Sequence, residues 1–195
     1  MHNVGEEIAG EYLRVCKDCE FVEYNLYTPD IQGEIDVVGI NLRAKTVYLC
    51  EVAVHLATGL MYVDQKSNQP NNVKKLIQKL EKDREYAIKY FPATLGYNHV
   101  LMLWSPIIKQ AHEGSKHNQT KDIVEIQRYF AENHKINLHL IINQAYQDCL
   151  AELRDYAASQ TKELKSPVLR YLQIEESLSK HLKNLTRIQK TPKPS

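Results

Sequence analysis

Asp36 and Glu51 each stand inside a short apolar run, Glu34-Ile35-Asp36-Val37-Val38-Gly39-Ile40 and Val47-Tyr48-Leu49-Cys50-Glu51-Val52-Ala53. Both runs have strand composition, and a few residues around Leu42-Arg43-Ala44 separate them, so they predict an antiparallel hairpin. If Asp36 and Glu51 are directly opposed, the pair is symmetric about the Arg43–Ala44 junction, which falls inside the predicted turn. Opposed residues on one face have Cβ atoms about 5 Å apart. Two neighbouring carboxylates repel each other, and each is costly to desolvate. A divalent cation removes both penalties. Mg²⁺ is commonly held by one or two carboxylates while water and phosphate oxygens complete its shell, and it can then polarise a phosphodiester. The backbone carbonyl of Val52 offers one more oxygen ligand. A solvated hairpin face carrying two surface acids has the same spacing, and a one-residue slip puts the pair on opposite faces. Spacing alone leaves both readings open.

The elements that must position these residues follow from periodicity. Val4, Ile8, Tyr12, Leu13 and Val15 fall near helical spacing with Glu6 and Glu7 in the first turn, which predicts an amphipathic helix. Residues 21–27 read as a strand, ended by Thr28-Pro29-Asp30. Strands 34–41 and 46–55 form the hairpin. Val73, Leu76, Ile77, Leu80, Ala87, Ile88 and Phe91 mark a long helix, with Lys74, Lys75, Lys79 and Lys82 on or beside its polar side. Residues 99–105 are almost continuously apolar, as in a strand buried on both faces. A helix with Asp122 at its N-cap and a strand over 136–142 follow. From Gln144 onward the chain reads as helical, with Ser166-Pro167 starting the last helix. Antiparallel strands early and crossovers later predict an α/β fold: a mixed sheet flanked by helices, with a C-terminal helical extension. The expected division is a core over 1–143, a helical extension over 144–190 and a disordered tail over 191–195.

The order of these motifs resembles the PD-(D/E)xK, or restriction-endonuclease-like, nuclease superfamily. It is most similar to a small bacterial nuclease-like family that reads G-E-x-x-A-x-x-Y-L, then G-E-I-D-L-I, then V-F-V-E-V-K, then a Lys/Arg-rich helix. This chain has Gly5-Glu6-Glu7-Ile8-Ala9 with Tyr12-Leu13, then Gly33-Glu34-Ile35-Asp36-Val37-Val38, then Val47 to Ala53, then the helix of residues 73–91. The resemblance spans roughly the first 110 residues. It implies a restriction-endonuclease-like fold and a metal-dependent endonuclease acting on DNA through a metal-activated water. Asp36 and Glu51 would be the catalytic ligands of Mg²⁺ or Mn²⁺. Glu6 would be a third acid from the first helix, and Glu34 an outer neighbour.

Ala53 departs from the pattern. The motif has a lysine there, which orients the attacking water and stabilises charge in the transition state. A lysine from elsewhere would have to replace it. Lys75 is the leading candidate, with Lys74, Lys79 and the loop residue Lys66 behind it; His55 is a further polar group nearby. The alternative is a catalytically inactive nuclease fold that binds nucleic acid or a protein partner, since losing a charge-stabilising group costs orders of magnitude in rate.

The remaining features set bounds. The chain has 195 residues, 43% hydrophobic and 25% charged, with a formal charge of +1, so overall charge does not announce a nucleic-acid binder. Residues 161–195 hold eight Lys/Arg against three Asp/Glu, and the stretch from Lys180 to the end has no acid. No apolar run approaches the roughly 18–20 residues that span a bilayer, and the first residues lack the pattern of a secretory leader. The expectation is a cytoplasmic protein with no membrane contact. Cys16 and Cys19 have CxxC spacing but no second pair, and they read as incidental thiols. His112, Glu113 and His117 read as a solvated loop. Leu172, Leu178, Leu182 and Leu185 suit packing on the core or pairing with another protein or a second copy.

Overall fold

Asn3 caps the first helix, α1 (Val4–Cys16). Its side chain accepts from the Glu6 N–H at 3.0 Å while the Glu6 carboxylate accepts from the Asn3 N–H at 2.9 Å, a reciprocal capping box. The computed structural model describes residues 3–27, 33–64, 68–110 and 118–190. After α1 come three antiparallel strands, β1 (Phe21–Tyr27), β2 (Glu34–Asn41) and β3 (Thr46–Val52). Helix α2 (Asn72–Tyr90) crosses over to β4 (Asn98–Ser105), and α3 (Gln119–His134) crosses over to β5 (His139–Ile142). Both crossovers yield parallel pairs, as parallel neighbours require. The sheet order is β1-β2-β3-β4-β5. Two further helices, α4 (Gln144–Ser159) and α5 (Pro167–Lys190), end the described chain. This is the expected mixed α/β sheet with C-terminal helices, and it is compatible with a restriction-endonuclease-like arrangement.

The two faces of the sheet bury different helices. Val38, Val47, Leu49, Leu101 and Leu103 pack with Leu76 and Leu80 of α2 and with Ile126 and Phe130 of α3. On the other face, Val37, Cys50, Met102 and Trp104 pack with Ala9 and Leu13 of α1, Leu153 of α4 and Leu169 of α5. The Trp104 ring meets Tyr12 and Tyr146 edge-on, with centroids 5.5 and 5.9 Å away. The expected boundary after residue 143 falls at the turn into α4, and the helices beyond it share this second apolar cluster with α1. Residues 191–195 lie outside the described residues. Among the described residues no helix is long and apolar enough to cross a membrane.

Several boundaries differ from the periodicity; β5, expected from residue 136, starts at His139. Helix α3 starts at Gln119, because the Asn118 side chain accepts from the Lys121 N–H at 3.2 Å and caps it. Asp122 therefore lies in the first turn, where its carboxylate accepts from the Asn72 side chain at 2.7 Å. Strand β3 stops at Val52, although the Ala53 N–H still reaches the Trp104 carbonyl at 2.8 Å.

Candidate functional site

The hairpin turn sets the register. Residues 42–45 form it, the Asn41 side chain accepts from the Ala44 N–H at 2.7 Å, and Lys45 takes a left-handed conformation with φ of 48°. The pairs then run Asn41–Thr46, Ile40–Val47, Gly39–Tyr48, Val38–Leu49 and Val37–Cys50. The ladder ends there, one step short of Asp36 and Glu51, which the same register would set opposite each other. Val52 closes the gap: its N–H donates to Asp36 Oδ2 at 2.7 Å. Thus the peptide N–H of Val52, rather than its carbonyl, is the atom tied to the pair. Both carboxylates are buried, Asp36 to 7% exposure and Glu51 to 1%.

On its other side, Asp36 meets an irregularity in β1. Tyr24 pairs with Val37, Leu26 pairs with Ile35, and Asn25 between them has φ of 49°. Tyr24 and Val37 belong to the α1 side of the sheet, whereas Leu26 and Ile35 belong to the α2 side. A regular strand would keep residues two apart on one face. The left-handed Asn25 breaks that alternation level with Asp36, and its side chain donates to Glu6 Oε2 at 3.1 Å. Glu6 is 7% exposed and adds to the negative charge that Asp36 experiences. Its two oxygens are also held by Asn3 and Asn25, so it is a helix cap as well as a neighbouring acid. Gly5 makes this approach possible: a Cβ there would stand 2.0 Å from Val54 Cγ2.

The lysine comes from α2. Lys79 Nζ forms an ion pair with Glu51 Oε1, and the Tyr62 hydroxyl donates to the same oxygen at 3.4 Å. Lys75 and Lys74, one turn earlier, are exposed, so the geometry places Lys79 rather than Lys75 against the carboxylates. Lys66 lies outside the described residues, as do His112, Glu113 and His117. Ala53 is 2% exposed and packs in the α2-side core, in the space where a motif lysine would begin. His55 is exposed and meets the edge of the Tyr62 ring, with centroids 6.4 Å apart. Glu34 is exposed at the start of β2, paired with Tyr27.

Asp83 completes the cluster. It lies one turn beyond Lys79, is 4% exposed, and its Oδ2 is buried with no hydrogen-bond partner. Asp36, Glu51 and Asp83 thus crowd about Lys79, with Lys82 a further positive charge acting on Asp83, and the electrostatics follow. Burial and then Glu51 push the Asp36 carboxyl up to about 7, against the pull of the Val52 N–H and Lys79. Burial, then Glu51 and Asp36, hold Asp83 well above the usual carboxylate range. Burial works against the charge of Lys79, but Glu51 outweighs it and the ammonium is held more firmly than usual.

An excess of buried carboxylates over cations fits a hard divalent ion better than a soft one, because every donor is oxygen. The Asp83 Oδ2 has no hydrogen-bond partner among the protein groups. Among the described residues no three acid, His or Cys side chains converge as a ready metal cage. The CxxC cysteines lie elsewhere and are poorly disposed to react: burial pushes the Cys16 thiol up to about 11 and the Cys19 thiol up to about 12, opposite to a reactive pair.

Asp83 and Tyr62 were not singled out by spacing as site residues. A signal for Asp83 was present, since it stands on the same helical stripe as Leu76, Leu80 and Ala87, where a charge is out of place. Comparison with protein-family models, curated proteins and solved structures finds no match.

Proposed function

We propose that the chain is a metal-dependent endonuclease acting on DNA, with Asp36 and Glu51 as the ligands of Mg²⁺ or Mn²⁺. The observation that carries this reading is the buried Asp36–Glu51 pair meeting Lys79 from a separate helix. In the resembling motif the lysine follows the glutamate by two residues; here the ammonium reaches the same carboxylate from α2 while Ala53 fills the core. When bound, the ion would supply Lewis-acid polarisation of the phosphodiester. Lys79 is placed to offset negative charge developing on the phosphoryl group and to orient a water beside Glu51. The Tyr62 hydroxyl steadies the Glu51 carboxylate, and the Val52 N–H fixes one oxygen of Asp36, leaving the other for a ligand. Glu6 is assigned an outer role, and the Val52 carbonyl remains a candidate ligand. We place the protein in the cytoplasm, a reading supported by its four free cysteines.

One observation favours a second reading. Glu51 already has a cation in Lys79, so the pair can be stable without any metal, as in an inactive fold that only binds nucleic acid or protein. Plasmid nicking in Mg²⁺ and in Mn²⁺ separates the two. The enzyme reading expects nicking that is lost in Asp36→Asn, Glu51→Gln and Lys79→Met and retained in Lys75→Ala. Absence of cleavage on duplex and single-stranded DNA, together with no thermal shift in Mn²⁺, would sink it.

A further inference from the structure

Asn72 is the first residue of α2 and is buried. Both ends of its amide are engaged by other elements. Its oxygen accepts from the Tyr62 N–H at 2.6 Å, and its nitrogen donates to Asp122 Oδ2 of α3 at 2.7 Å. Asparagine suits the position because one planar group carries both an acceptor and a donor. Aspartate lacks the donor, and an apolar residue lacks both. Asp122 is a firm anchor, since it stands in the first turn of α3, where the helix dipole favours a carboxylate.

The start of α2 is not arranged for the stability of the helix itself. Asn71 stands at the N-cap, a place where asparagine is among the best residues, yet its side chain makes no cap bond. The first turn holds no acid, and Lys74 and Lys75 lie close to the positive end of the helix dipole. What this helix start does secure is geometry beside Glu51.

Two groups reach Glu51 Oε1, the Tyr62 hydroxyl at 3.4 Å and the Lys79 ammonium. Tyr62 comes from the segment between β3 and α2, and Lys79 comes from α2 itself. The helix start joins the two. The Asn72 side chain takes the Tyr62 N–H, and the Asn71 N–H donates to the Tyr62 carbonyl at 2.8 Å. Asn72 and Lys79 are seven residues apart and share a face of α2, about 10 Å apart along its axis. Leu76 and Leu80 hold α2 on the sheet, but apolar burial has no direction. Hydrogen bonds do, so the bonds of Asn72 fix how far α2 slides and turns. We propose that Asn72, anchored by Asp122, is a positioning residue that aligns Tyr62 and Lys79 on Glu51. The inference rests on the reading of Asp36, Glu51 and Lys79 as the reacting centre.

Competitive acetylation of the full chain in EDTA, read by mass spectrometry, follows Lys79 without recourse to activity. Lys79 is paired with Glu51, and the exposed Lys75 is the internal standard. Asn72→Ala is expected to raise the Lys79-to-Lys75 labelling ratio about 3-fold or more while circular dichroism shows a folded protein. Asp122→Ala should do the same. Asp122→Asn keeps an oxygen for the Asn72 amide and should leave the ratio as in wild type. Leu153→Ala opens a cavity on the other face of the sheet and controls for lost stability. An unchanged ratio in Asn72→Ala, or an equal rise in Leu153→Ala, overturns the proposal. In single-turnover plasmid nicking with Mn²⁺, Asn72→Ala should slow the reaction at saturating protein about 10-fold or more, with the half-saturating concentration unchanged. A loss confined to half-saturation also overturns it. Wild type that nicks no DNA sinks the nuclease reading alone, because the labelling ratio still decides whether Asn72 aligns Lys79.

Discussion

Replacing Asp36 by Asn should make the protein more stable, by a margin that grows as pH rises from about 4 to about 7. Asp36 is 7% exposed, and its carboxyl rises from the ordinary 3.8 to about 7, through burial first and Glu51 second. The folded protein therefore keeps a proton that the unfolded chain releases across that interval. The resulting stability is complete below the unfolded value and is lost as pH rises through about 7. The full interval corresponds to about 4 kcal/mol. Asparagine keeps an oxygen for the Val52 N–H and never charges. In EDTA the two proteins should be nearly equally stable near pH 4, while Asp36→Asn gains about 2–4 kcal/mol near pH 8. Urea unfolding followed by circular dichroism measures the gap at each pH. Adding Mn²⁺ near pH 8 should narrow it by stabilising the wild type alone. A gap that fails to widen with pH would refute the reasoning, because Asp36 would then not sit in a charge-poor, acid-crowded pocket.

Three other outcomes follow from the same cluster and its supports. Lys79→Met leaves Glu51 buried without a cation; since Lys79 itself is 36% exposed, the expected loss is about 1–3 kcal/mol near neutral pH, recovered in the double variant with Glu51→Gln. Asp83→Leu continues the apolar stripe of Leu76, Leu80 and Ala87 and removes an unpartnered oxygen, so the melting temperature should rise; a fall would show that Asp83 has a partner worth more than its burial costs. Gly5→Ala drives a Cβ into Val54 and should cost about 1–3 kcal/mol in chemical denaturation, whereas Gly96→Ala meets nothing within 4 Å and is limited to the strain of its φ of 86°.

The register of the β2–β3 hairpin was legible up to Val37–Cys50, because a turn with one centre fixes every pair of a hairpin at once. The mixed sheet was legible too, since runs such as residues 99–105 are almost continuously apolar, as a short strand covered on both faces requires. The lysine was harder. Lys74, Lys75, Lys79 and Lys82 all border the same helical face, and choosing among them depends on how α2 lies across the sheet. That crossing is set by Leu76 and Leu80 packing on Leu49 and Leu101, contacts distant in sequence. Asn25 was illegible for a different reason: a single left-handed residue inside a strand leaves no trace in hydrophobic alternation until its partner strand is known. Asp122 was the expected cap of α3, but Asn118 caps the helix, and Asp122 in the first turn accepts instead from Asn72, again a long-range contact.

Drawing the ammonium from α2 has a consequence for the order of assembly. A strand lysine two residues after the glutamate would arrive with the hairpin itself. Here the cation is 28 residues downstream of Glu51, so the hairpin can form while its carboxylates have no counter-charge. Closing that longer loop costs chain entropy before Glu51 is rewarded. The β2–β3 pair should therefore be a reluctant early structure at neutral pH and a willing one in acid, and docking of α2 becomes the event that commits the chain. During synthesis, a ribosome would have to release the whole crossover before the half-built site could hold its charge.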